Sequence, residues 1–125
     1  MDEKMIDAVK QWLDAVMPAV AETVANTFTE EKLREMGKEE GVHGPMTVNL
    51  EEYRAPIKTL NFYVVVVEDT LLMAVTTKVK DVDDSPSLSF DMFFTIADFA
   101  TKITDDEHVS QLTDTVLGQY KSLCG

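Results

Sequence analysis

A single cysteine in 125 residues, Cys124, excludes an internal disulfide and any cysteine-rich zinc centre. A reducing compartment is the simplest consequence, and the cytoplasm is the expected location. Glycine is also scarce. Its five positions, 37, 41, 44, 118 and 125, form neither a G-x-G-x-x-G turn nor a G-x-x-x-x-G-K loop, so the familiar backbone cradles for nucleotide phosphates are missing. No G-x-S-x-G elbow and no H-E-x-x-H helix occurs. Long apolar runs are lacking too: Asp7, Lys10, Gln11 and Asp14 interrupt the first segment, and the opening Met-Asp-Glu-Lys has no basic character. The expectation is neither a signal peptide nor a transmembrane helix. Cys124-Gly125 lacks the two further residues of a prenylation box.

Bases are the remaining shortage. Eleven of them face 23 acids, for a formal charge of −12. The imbalance is uneven: residues 1–52 hold twelve acids and five bases, 81–125 hold nine acids and two bases, and 53–80 hold two acids, Glu68 and Asp69, against four bases. Charge of this sign repels phosphate backbones and anionic headgroups, which disfavours direct nucleic-acid or membrane-surface binding and points to high solubility or to a basic protein as partner.

What is present is enough apolar content, 45%, to fill one core, so residues 1–125 read as a single domain. Met5, Val9, Trp12, Leu13, Val16, Val20 and Val24 fall at helical spacing, and Pro18 predicts a kink or break near Met17. Thr29 followed by Glu30 and Glu31 reads as the start of a second helix that ends at Gly37 or Gly41. Residues 41–45 read as a loop and 46–50 as a short strand. The strongest strand signals are 60–68 and 71–80, an antiparallel hairpin about Asp69-Thr70. Pairing Val67 with Leu72 sorts the hairpin by face. Leu60, Phe62, Val64, Val66, Met73, Val75, Thr77 and Val79 form the core face. Val65, Val67, Leu72 and Ala74 lie on the other, beside the turn, with polar residues towards the open end. Alternation over 87–94 predicts another half-buried strand passing into a helix near Thr95, with one helix over 87–103 as the alternative. Thr104 and Glu107 fit a capping box opening a final helix whose stripe is Val109, Leu112, Val116, Tyr120 and Leu123. The fold class is α+β: N-terminal helices, a central antiparallel sheet of three to four strands built on the 60–80 hairpin, and C-terminal helices packed on one face.

No constellation commits the chain to a reaction. Asp81, Asp83 and Ser85 have the oxygen spacing of half a calcium loop, but Pro86 stands where that loop needs glycine and Met92 where it needs a bidentate glutamate. Asp105, Asp106 and Glu107 beside His108 serve as the acidic first turn of a helix, and two histidines without cysteine partners make no zinc set. Asp91 falls on the outward side of its alternation, and Asp98 is read the same way. Catalytic residues, metals and cofactors are therefore expected to be none. The leading expectation is a non-enzymatic acidic interaction module, an adaptor, inhibitor or assembly factor, that recruits a basic protein through Asp81, Asp83, Asp84, Asp105, Asp106 and Glu107. One alternative is a small-ligand-binding protein or enzyme with a pocket between sheet and helices, using Tyr63, Asp91 or His43. Another is a nucleic-acid mimic whose carboxylates imitate a phosphate ladder. Burying a valine or leucine contributes roughly 1.5 to 3 kcal/mol, so Val65, Val67, Leu72 and Ala74 call for a cover. The candidates are the N-terminal helix, the C-terminal helix and a second copy of the chain, and the last makes a homodimer through this face a further expectation.

Overall fold

Two valine-rich segments of 11 and 10 residues, β2 (Ile57–Val67) and β3 (Thr70–Val79), form the centre of the molecule, in a computed structural model that describes residues 2–54 and 56–125. β1 (His43–Asn49) flanks β2, and β4 (Met92–Thr95) flanks β3. The sheet is an antiparallel meander in the order β1-β2-β3-β4, so neighbours along the chain are neighbours in space. The hairpin register pairs Val67 with Thr70 and Val65 with Leu72, two residues tighter than the pairing of Val67 with Leu72 implies. Side chains alternate with period two, so this shift leaves every residue on its expected face. The loop is Glu68-Asp69, and Glu68 takes the positive φ of 54° that such a tight loop demands. Three bonds hold it in place. Thr70 Oγ1 donates to the Val67 carbonyl at 2.8 Å, Ile96 N–H donates to the Asp69 carbonyl at 2.8 Å, and Arg34 reaches the Asp69 carboxylate at 3.0 Å.

The first helix, α1 (Glu3–Thr27), runs unbroken through Pro18, contrary to the expected break. Pro18 is exposed, while Val16, Met17, Val20 and Ala21 on either side of it are buried. Packing of that stripe outweighs one missing backbone bond. In α2 (Glu30–Met36) the Thr29 hydroxyl caps Lys32 N–H at 3.2 Å, and Gly37 follows the last turn. β1 begins three residues before the expected strand and takes in part of the expected loop. Alternation over 87–94 overestimates β4, which covers only the stretch opposite Thr70 to Met73. Upstream of it, Pro86 offers no donor for a ladder, and Ser89 donates to Asp91 locally at 2.5 Å. A short helix, α3 (Phe99–Ile103), comes next, so the single helix over 87–103 is not formed.

The last helix, α4 (Asp106–Cys124), is capped by Asp105 and not by Thr104. Asp105 Oδ1 accepts from His108 N–H at 2.8 Å, whereas the Thr104 hydroxyl is spent on the Ala100 and Thr101 carbonyls at the end of α3.

All four helices contribute to one core beneath a single face of the sheet. Leu60, Phe62, Val64, Val66, Met73, Val75, Thr77 and Val79 are all buried there, as expected, joined by Leu71, Met92 and Phe94. Phe99 meets Phe94 and Phe28 edge-on, with ring centroids 5.0 and 6.5 Å apart. Gln119 of α4 bonds to β3 twice: it accepts from the Thr77 hydroxyl at 2.6 Å and donates to the Val75 carbonyl at 2.8 Å. The architecture is α+β, with helices on one face of a four-stranded antiparallel sheet.

Candidate functional surfaces

The contacts of α4 fix where the acidic clusters lie. His108 packs on Phe94, which pairs with Leu71 at the start of β3, while Gln119 bonds Thr77 near its end. The helix therefore runs alongside β3 in the same direction. Asp105, Asp106 and Glu107 sit at the start of that strand, and Asp81, Asp83 and Asp84 follow its far end. Ten strand residues at about 3.3 Å each put the two groups roughly 30 Å apart. The fold does not bring them together. Within the first group, the two hydrogen bonds from His108 hold the Asp105 carboxyl below the usual carboxylate range, the backbone N–H contributing most and the ring next at 2.7 Å. No set of three or more His, Cys, Asp or Glu among the described residues is placed to hold a metal ion.

The second face of the sheet carries no helix. On it lie Val65, Val67, Leu72 and Ala74, and the register adds Tyr63 and Phe93 beside them. Val67 is 57% exposed and Phe93 61%, while Val65 and Leu72 are half-buried and Ala74 is buried. Alternation over 87–94 does not single out Phe93. Its pairing with Leu72 is what makes it part of this face. Towards the open end of the hairpin the same face turns polar, and the Thr47 hydroxyl donates to Asn61 Oδ1 at 2.6 Å. None of the four strands contains an aspartate or a glutamate, so all 23 acids lie outside the sheet.

At the open end of the hairpin lies a wide-mouthed cleft of about 720 Å³. Its walls come from the 3₁₀ turn Glu51–Tyr53 and the residue after it, the start of β2, and the end of β3 with the turn beyond. Arg54, Lys58, Lys78 and Lys80 all line it, and these are the four bases of the one stretch of sequence in which bases outnumber acids. Glu51, Asp81 and Asp83 share the wall. Two left-handed residues shape its rim, Arg54 at φ 55° and Asp81 at φ 64°. Backbone bonds fix both sides, from Leu50 N–H to the Lys58 carbonyl and from Lys80 N–H to the Pro56 carbonyl, each 2.8 Å. Lys58 pairs with Glu51 at 3.5 Å, and Lys78 Nζ donates to the Val82 carbonyl at 3.0 Å. Arg54 and Lys80 enter no ion pair and no side-chain hydrogen bond among the described residues.

The residues considered for a pocket between sheet and helices are elsewhere. Tyr63 is on the second face, His43 opens β1 with its Nε2 3.2 Å from the Glu39 carbonyl, and Asp91 precedes β4, exposed and bonded to Ser89. No helix among the described residues is long and apolar enough to cross a membrane. No protein-family model matches the chain, and neither a curated protein nor a solved structure matches it.

Proposed function

We propose that the protein is an interaction module that pairs with a second copy of itself through the second face of the sheet and turns its carboxylates outward towards a basic protein. The observation that carries this reading is the sorting of charge: a chain of −12 keeps every acid out of its four strands, and the only charges those strands carry away from the core face are Lys58 and Lys78 at the open end of the hairpin. Two copies of so acidic a chain repel at most orientations, and a carboxylate-free face is where they can meet at least cost. The 32 strand residues, at about 4.8 Å by 3.3 Å each, give a face of roughly 500 Å² per copy. A pair would bury on the order of 1,000 Å², the lower end of a specific interface, which fits a reversible dimer. The separation of the two acidic groups favours a protein partner touched at two places over imitation of a continuous phosphate ladder.

Light scattering across a dilution series tests the pairing. Val67→Glu puts a carboxylate at the exposed apolar end of the face, beside the hairpin loop, and should give a monomer with unchanged circular dichroism. Added salt should tighten the wild-type dimer by screening the repulsion between copies, and should weaken association with a basic partner. A wild-type chain that stays monomeric at all concentrations, or a Val67→Glu chain of undiminished mass, sinks the pairing.

A further inference from the structure

We infer that the cleft at the open end of the hairpin binds a hydroxylated small-molecule oxyanion of sugar-phosphate size, with Arg54 and Lys80 holding the oxyanion and Asp81 and Asp83 accepting from the hydroxyls. The distribution of the bases is the first ground. Only eleven occur in the chain, four of them in residues 53–80, and the fold gathers all four around one cavity although the sequence separates them by up to 26 positions. Three acids on the same wall, Glu51, Asp81 and Asp83, offset most of that charge and leave the cleft one unit positive in a chain of −12, so it is the local exception that attracts an anion. The division of labour is the second ground. Lys58 and Lys78 are engaged by Glu51 and by the Val82 carbonyl, whereas Arg54 and Lys80 are left with their donors unspent. A planar guanidinium beside an ammonium is the pairing that recognises a phosphate or carboxylate by charge-assisted hydrogen bonds.

The carboxylates on the same wall decide what the rest of the ligand looks like. Asp81 and Asp83 accept hydrogen bonds and donate none when ionised. A bare inorganic anion would meet them as repulsion. A ligand that also carries hydroxyls satisfies them, so the mixed wall selects against simple anions and for polyol phosphates or their carboxylate counterparts. A volume of about 720 Å³ accommodates such a molecule with room for water. The backbone bonds from Leu50 to Lys58 and from Lys80 to Pro56 keep the two walls in place before any ligand arrives. No backbone phosphate loop is needed, because side chains do the binding.

Nitrogen-15 NMR titrations of the full chain with glucose 6-phosphate, inorganic phosphate and sodium chloride at matched ionic strength test the assignment. The amides of Arg54, Lys58, Lys80 and Asp81 should shift and saturate with the sugar phosphate, more tightly than with inorganic phosphate. The double variant Arg54→Gln/Lys80→Gln should weaken that binding by about tenfold or more, its remaining amide resonances keeping their positions as proof of fold. Asp83→Asn should narrow the preference for glucose 6-phosphate over inorganic phosphate. Shifts no larger than those from sodium chloride overturn the site, as does full binding by the double variant. Equal affinity for the two phosphates, or a preference untouched by Asp83→Asn, overturns the role given to the carboxylates.

Discussion

Replacing Gln119 by leucine probes the polar tie between α4 and the sheet. The Thr77 hydroxyl, 2% exposed, donates to Gln119 Oε1 at 2.6 Å, and Gln119 Nε2 donates to the Val75 carbonyl at 2.8 Å. Leucine fills similar space but accepts and donates nothing, so it leaves a hydroxyl buried without a partner. The expected cost is about 1 to 3 kcal/mol, the desolvation penalty of one unsatisfied group. Thr77→Val is milder. It leaves Gln119, only half-buried, free to turn its oxygen to water, at about 0.5 to 1.5 kcal/mol. The double variant removes hydroxyl and amide together, and its cost should fall below the sum of the two by about 1 to 2 kcal/mol. Urea unfolding of the four proteins reads this directly, as shifts of midpoint at a constant slope. A Gln119→Leu protein as stable as wild type, or costs that add to within about 0.3 kcal/mol, would refute the idea that this tie matters to docking α4.

Asp105→Ala should lower the melting temperature at neutral pH, because Asp105 caps α4 and its carboxyl titrates below the ordinary range. A depressed folded pKa means the contribution is complete above the unfolded value and disappears as pH falls through the folded one, so melting curves of variant and wild type should converge in acid. Tyr120 is the opposite case: burial first, and Cys124 beside it second, push its phenol up. Its contribution should persist up to about pH 10 and be lost as the pH rises through the folded value, with Tyr120→Phe flattening that alkaline limb. Gly118 lies exposed within α4 with nothing within 4 Å of an added Cβ, so Gly118→Ala should stabilise by about 0.5 to 1 kcal/mol in the same urea assay. Gly44→Ala should do the reverse, since φ is +132° there and the new Cβ would stand 2.7 Å from the Phe62 carbonyl.

Period-two sorting survives errors that local details do not. The hairpin faces are legible in the sequence because parity, and not the exact pairing, decides which residues point inward; a two-residue slip left all eight predicted core positions buried. The cap of α4 is not legible, since Thr104 and Asp105 are both good cap residues and only the carbonyls of α3 decide between them. The length of β4 is hidden for a related reason: alternation at Leu88 and Phe90 looks the same whether or not β3 offers a ladder there. That Val65, Val67 and Leu72 need a cover is legible from their hydrophobicity, but not that neither the N-terminal nor the C-terminal helix supplies it, and Phe93 joins this face only through a pairing 21 residues away in sequence. The cleft is not legible in the sequence. Lys78 and Lys80 mark the open end of the hairpin, but Arg54 reaches them through a left-handed residue after a 3₁₀ turn, a path no periodicity announces.

The docking of α4 on β3 also sets a schedule for synthesis. The meander can form hairpin by hairpin as the chain emerges, because each strand pairs with the one made just before it. Its inner face cannot be completed in that order. Gln119 and its neighbours are translated roughly 40 residues after the strand they cover, which at about 5 to 20 residues per second leaves Val75 and Thr77 without their final layer for some 2 to 8 seconds. During that interval the inner face has only the earlier helices α1 and α2, later joined by α3, beneath it, and the arrival of the last helix is the event that closes the core.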